Sequence, residues 1–255
     1  MTTHTPDQIK ALTEALQHWA GDKIKIAGVP YYQDSTYETW YDYYWPSNDE
    51  RPTYAAAVAD TPHRIISHVD PKRRTVMVQA GGNAGYFVRI FADKFKRVYT
   101  FEPGPVNFMC LAMNTFANGN VVKFQACVGN RHELVTLNSL HDDDTGGKHV
   151  DYGHPSELST PTYTGVPTMM IDDLALDDCG LIQLDIEGYE LFALKGAEKT
   201  IDRFKPVLAV EVSGEWLNRY FPNKDGQKQL EDWLFSKGYE EVDRFETDRV
   251  YKAKQ

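Results

Sequence analysis

The sequence predicts an α/β protein with a mostly parallel sheet covered by helices on both faces. Three observations predict it. Apolar runs that do not alternate, such as Leu181-Ile-Gln-Leu184 and Val207-Leu-Ala-Val210, are separated by segments of helical period. The first such run, Thr75-Val-Met-Val-Gln79, ends in a turn holding Gly81, Gly82 and Gly85, and a helical pattern (Val88, Phe91, Ala92, Phe95) follows. Finally, Glu102 closes the next run, Arg97-Val-Tyr-Thr-Phe101, 21 residues after Gly81. Strand, glycine turn, helix, then an acid about 20 residues on is the opening of a nucleotide-binding βαβ unit, where the acid accepts hydrogen bonds from ribose hydroxyls. Gly81 and Gly82 let the backbone bend sharply there, and Gly85 lets the helix pack close to the strand.

Each element follows in order. Thr5-Pro6-Asp7-Gln8 reads as a capped helix start, with Ile9, Leu12, Leu16 and Trp19 on one face and Gly21 at the end. From Tyr31 to Tyr54 the chain is aromatic-rich and is expected to be irregular, its rings packing on the main domain or walling a pocket. Residues 1–70 are therefore expected to be a helix plus an aromatic extension with no core of its own, and residues 71–255 a single domain. After Glu102 come a helix from Val106 to Phe116, a third strand over Val121–Val128 and an extended piece over Leu134–Leu140. Residues 141–161 are polar and without period, which predicts a long loop. Leu181–Leu184 stops at Asp185, and Ile186-Glu187-Gly188-Tyr189-Glu190 leads into a helix with Leu191, Leu194, Ala197 and Ile201 inward. The three-residue spacing of Glu187 and Glu190 places them on one helical face. A strand ending at Glu211, a helix over 227–237 and a C-terminal hairpin (Tyr239–Val242, Arg249–Tyr251) complete the sheet.

The net charge of −10 argues against a nucleic-acid backbone or an anionic membrane surface as partner. No apolar run approaches the ~20 residues needed to span a bilayer, and the first residues lack a signal-peptide pattern. Cys110, Cys127 and Cys179 are widely spaced and read as reduced core residues, so a cytoplasmic location is expected. The acidic run 142–144 reads as a solvated face, and no metal site is expected.

Ligands of an open parallel sheet bind outside the carboxyl ends of its strands, and Gln79, Glu102, Asp185 and Glu211 all fall there. The motifs that carry these residues resemble, in order and spacing, the FkbM-type family of S-adenosylmethionine-dependent methyltransferases. They are Val-Met-Val-Gln-Ala-Gly-Gly-Asn-Ala-Gly-Tyr-Phe, Val-Tyr-Thr-Phe-Glu-Pro, Ile-Asp-Asp-Leu, Leu-Asp-Ile-Glu-Gly-Tyr-Glu and Val-Leu-Ala-Val-Glu-Val, across roughly residues 75–213. The resemblance implies a Rossmann-like class I methyltransferase fold with a seven-stranded sheet and S-adenosylmethionine as cofactor. It further implies that Gln79, Gly81, Gly82, Asn83 and Gly85 wrap the methionine end, and that Glu102 with Pro103 takes the ribose. Cys127 and Val128 would lie beside the adenine, and Asp185 and Glu187 would face the transferred methyl, Asp185 as first candidate base. The expected substrate is a small molecule, a sugar or other polyol methylated at a hydroxyl. The chain departs from the family at two positions: Gln79 stands where an acid is usual, and Gln183 where a Lys is usual. A cofactor binder that has lost catalysis, and an NAD-dependent oxidoreductase, are the competing readings; the turn lacks the GxGxxG spacing that the latter wants.

Overall fold

The computed structural model describes residues 11, 24–34, 37–46, 60–139, 146–151 and 160–254. The expected helix opening at Thr5 lies outside the described residues, as do Tyr54 and most of 141–161. Among those described, the chain begins with a hairpin of β1 (Ile24–Asp34) and β2 (Tyr37–Pro46), followed by helix α1 (Asp60–Ser67). The aromatic stretch is thus not irregular. Its Tyr and Trp side chains favour extended backbone, and β1 and β2 pair antiparallel from Ile24 opposite Pro46 to Asp34 opposite Tyr37.

The central sheet follows as β3 (Val76–Ala80), β4 (Arg97–Phe101) and β5 (Val121–Phe124), with helices α2 (Tyr86–Lys94) and α3 (Pro105–Asn114) between them. The expected third strand divides at this point. β5 ends at Phe124, and β6 (Cys127–Val128) joins a second, four-stranded sheet with β7 (Leu134–Ser139), β8 (His149–Val150) and β9 (Thr160–Met169). One of these strands, β8, lies within the stretch predicted as loop, and β9 begins at its end; β8 is only two residues long, too short to show a period.

β10 (Leu181–Leu184) then leads to α4 (Glu190–Lys195) and α5 (Glu198–Phe204), two helices where the apolar spacing suggested one. They part at Gly196, where a Cβ would stand 1.9 Å from the carbonyl oxygen of Gly129. β11 (Val207–Glu211), the short α6 (Gly214–Leu217), α7 (Gly226–Ser236), β12 (Tyr239–Phe245) and β13 (Asp248–Ala253) complete the chain. Strand order is β12-β13-β11-β10-β3-β4-β5, with β13 antiparallel to both of its neighbours and the rest parallel. This is the predicted α/β class with a C-terminal antiparallel hairpin.

The sheet divides the core in two. Met77, Val98, Leu181 and Ala209 face α1, α2, α3 and the hairpin, meeting Ile65, Phe91, Leu111 and Trp45. Val78, Phe101, Ile182 and Val210 face the other way, onto Leu191, Ile201, Leu230 and Leu234 of α4, α5 and α7. Each such fully buried side chain contributes roughly 1.5–3 kcal/mol relative to exposure. Helix α1 is pinned to the edge strand β12: Arg64 grips Asp243 with both ends of its fork, and His68 Nε2 lies 2.9 Å from Asp243 Oδ2. The Arg64 hydrogen bonds hold the Asp243 carboxyl well below the usual carboxylate range.

One buried side chain docks the hairpin. Asn114, at the end of α3, accepts from Tyr44 N (2.7 Å) and donates to Tyr44 O (2.8 Å) and to Ala84 O (2.6 Å). Its amide replaces the strand partner that Tyr44 lacks on that side. Asn114→Ala strands these backbone groups and is expected to cost about 3 kcal/mol, read as a lower urea midpoint.

Candidate functional site

β3 connects to β4 on one side while β10 connects onward to β11 on the other, so the gap between β3 and β10 is the switch point of the sheet. A cavity of about 240 Å³ opens there. Its floor is the turn after β3. Gly81 has φ +87, and a Cβ on it would lie 1.9 Å from the Asp185 carbonyl oxygen. Only glycine permits that approach. The amides of Gly81 and Gly82 both donate to Phe101 O (3.1 and 2.9 Å), and Asp185 N donates to Ala80 O at 3.1 Å, so the turn is fixed to β4 and β10 together.

Asn83 follows in the left-handed region, φ 45, which Asn tolerates better than most side chains. That conformation aims its N–H at Glu102 Oε2 (2.8 Å), while Gly104 N donates to Glu102 Oε1 (2.8 Å). Asn107 Nδ2 donates to Asn83 Oδ1 at 3.2 Å. The carboxylate of Glu102 is thereby buried in the cavity wall and held at both oxygens by backbone N–H groups.

Beyond Glu102 the wall is apolar: Phe101, Ala126, Cys127, Val128, Leu137 and Val150. Phe101 stacks on Phe124 with centroids 4.7 Å apart, which fixes its ring. Burial pushes the Cys127 thiol up to about 12, so it is a packing group and not a nucleophile.

The opposite end of the cavity is acidic, lined by Asp185, Glu187 and Glu211. Glu187 has φ 56 and sits in the turn before α4, so it does not share a helical face with Glu190 as the spacing suggested. Instead Glu190 is buried beneath that turn, accepting from Ile186 N (3.0 Å) and Gly188 N (3.2 Å), and burial lifts its carboxyl to about 7. Glu211 is lifted further, to about 10, by burial first and then by Asp185, Glu187, Glu190 and Asp248. Its Oε2 is buried without a hydrogen-bond partner.

Nine residues singled out from the sequence therefore meet in one wall: Gly81, Gly82, Asn83, Glu102, Pro103, Cys127, Val128, Asp185 and Glu187. Gln79 and Gly85 lie behind it. Gln79 Nε2 donates to Gly81 O (2.8 Å) and its Oε1 accepts from Thr100 Oγ1 (2.5 Å), bracing the turn from beneath. Gly85 precedes α2 and packs against Leu111. Glu211, placed at the ligand-binding strand ends from the sequence but given no role, also lines the cavity. Sequence reasoning gave no site role to Trp45, Asn107, Lys148 or Tyr189; Trp45 and Lys148 come from stretches without a motif.

The two departures from the family pattern turn out to be one. Gln79 and Gln183 are register partners on β3 and β10, both buried, and Gln183 Oε1 has no hydrogen-bond partner. An acid and a Lys at these positions would form a buried ion pair, which this chain replaces with two neutral amides. Breaking such a pair is costly, whereas exchanging both partners is tolerated. Gln79→Asp alone is expected to cost about 3 kcal/mol, and adding Gln183→Lys to recover most of it, as read by thermal melts. Gly81→Ala is expected to lower stability and abolish ligand binding together, since its Cβ meets backbone that cannot turn aside.

The sequence pattern of the methyltransferase FkbM domain matches residues 79–241, well over half of the chain. No curated protein matches. Solved structures similar in fold include the FkbM methyltransferase of Methylobacillus flagellatus KT (20% identity, 79% of this chain and 53% of that one, TM-score 0.47). Others are the pre-rRNA processing protein fibrillarin of Methanococcus jannaschii (15%, 91% and 91%, TM-score 0.44) and the N-methyltransferase NodS of Bradyrhizobium japonicum WM9 (12%, 76% and 96%, TM-score 0.43). The chain thus spans about half the length of the Methylobacillus protein. From the extent of the domain match, the chain belongs to the FkbM family of S-adenosylmethionine-dependent methyltransferases.

Proposed function

We propose that the protein methylates a hydroxyl of a small sugar or polyol, using S-adenosylmethionine. The observation that supports it is the pairing, in one cavity, of a backbone-anchored acid at the end of β4 with a group of acids, Asp185, Glu187 and Glu211, beyond the ends of β10 and β11.

The residues present fit the family's cofactor. The glycine turn is a cradle that a Cβ would fill, since its backbone already touches Asp185. Glu102 is a prearranged acceptor for a vicinal diol, and Phe101, Ala126, Cys127 and Val128 are an apolar wall suited to a purine. When bound, the cofactor supplies a methyl group on a sulfonium, open to in-line displacement by an acceptor oxygen. Asp185, next to the turn and in the wall, takes the acceptor's proton as its oxygen bonds to the methyl carbon. Glu187 orients the acceptor from the strained turn beside it. Leu137 and Val150, packed with Cys127, keep water from the apolar wall, and Trp45 and Lys148 add a ring and a cation to the lining. The neutral Gln79–Gln183 pair lies under the turn and outside the wall, which weighs against reading these residues as marks of lost catalysis.

Calorimetric titration with S-adenosylhomocysteine, with NAD as control, tests the cofactor reading. Micromolar binding of S-adenosylhomocysteine alone is expected. Glu102→Ala is expected to weaken it by at least ~100-fold, the loss of two charge-assisted hydrogen bonds. Asp185→Ala is expected to bind within about threefold of the parent and to lose methyl transfer to a panel of sugars and polyols. Equal binding by the parent and Glu102→Ala would remove Glu102 from the site.

A further inference from the structure

Five carboxyls gather at the acidic end of the cavity. Asp185, Glu187 and Glu211 line it, Glu190 of α4 lies beneath, and Asp248 of β13 is the register partner of Glu211. Every group that raises Glu211 is an acid, and Asp248 is raised likewise, to about 7, by burial and then by Asp185 and Glu246. The neighbouring cation on β13, Arg249, is committed to Glu231 and Glu241. Lys148 is the single basic residue among those lining the cavity. Among the described residues there is no cluster of three or more side chains able to hold a metal ion. Carboxyls crowded in this way keep their protons unless a cation arrives.

We infer that Glu211, backed by Asp248, is the charge complement of the sulfonium, the feature by which the pocket tells the methyl donor from its demethylated product. The inference rests on the cofactor reading above. Glu211 stands on β11, one strand beyond the β10 end that carries Asp185, so it faces the transfer end of the cavity and not the ribose end. Its Oε2 is buried without a hydrogen-bond partner, so no donor offsets the charge that the group would carry when ionised. Donor and product share their ammonium, carboxylate, ribose and adenine, and differ in the methyl and its charge. A protonated carboxyl that comes to face a cation gives up its proton, so donor binding releases protons and tightens as pH rises toward the free-state values of about 7 for Asp248 and 10 for Glu211. Product binding lacks that dependence, and the titration of the shared ammonium cancels in the ratio of the two affinities.

The test is titration of the full chain with S-adenosylmethionine and with S-adenosylhomocysteine at pH 6 and pH 8. The ratio of product Kd to donor Kd is expected to rise at least ~5-fold between the two, one released proton setting a ceiling of about tenfold per pH unit. Glu211→Gln, a neutral shape mimic, is expected to keep product affinity within about threefold, and Glu211→Gln with Asp248→Asn to flatten the ratio to within about twofold. A flat ratio in the parent, or an undiminished rise in the double variant, would overturn the inference while leaving the cofactor reading intact. Failure of the parent to bind either ligand would instead overturn the cofactor reading itself.

Discussion

The site depends on one close approach of backbone to backbone, Gly81 against the carbonyl of Asp185. It sets the spacing of β3 and β10 at the point where the sheet's connections diverge. The same turn gives its amides to Phe101 O, which ties in β4, and its next residue but one, Asn83, fixes Glu102. The ends of three strands are thus registered through four residues of chain. Gln79 and Thr100 brace the turn from below with a hydrogen bond between side chains that are both buried. Such a bond is strong in this setting because neither partner has water as an alternative.

The cavity joins two unlike ends, one apolar with a well-satisfied carboxylate and one crowded with acids. Burial of these acids, and after it their crowding, works against folding. A carboxyl whose native value is raised favours the native state below its unfolded value, and that contribution is lost as pH climbs through the native value. For Glu190 and Asp248 the loss runs from about 4 to about 7, and for Glu211 it continues to about 10. The fold therefore carries, at neutral pH, an electrostatic cost at the transfer end that its apolar core offsets. Carboxyls perturbed in this way cluster at functional sites.

Much of this was legible in the residues, because each strand of the central sheet is a short apolar run that stops at a polar side chain. Gln79, Glu102, Asp185 and Glu211 mark the edge, and the glycine turn marks the switch point. The aromatic stretch was not legible, since rings at such density outnumber the alternation that would reveal a hairpin. Nor was the second sheet: β6 and β8 are two residues each, and their pairing with β9 and β7 is set by tertiary contact. The neutral pair at 79 and 183 looked like two separate losses because sequence distance hides the register that joins them. Glu187 and Glu190 misled for the opposite reason, since helical spacing was applied one turn before the helix starts.

The wall residues also divide by where they enter the chain. Those proposed to hold the cofactor, Gly81 to Glu102, come from the regular strand–helix frame, where a Cβ added at Gly81 would run into the backbone of Asp185. Trp45 and Lys148 come from outside it, the one from a hairpin docked by Asn114 and the other from the stretch leading into β8. On the function proposed above, donor and acceptor would thus be held by separate stretches of sequence, and the hairpin and small sheet could be exchanged without touching the glycine turn.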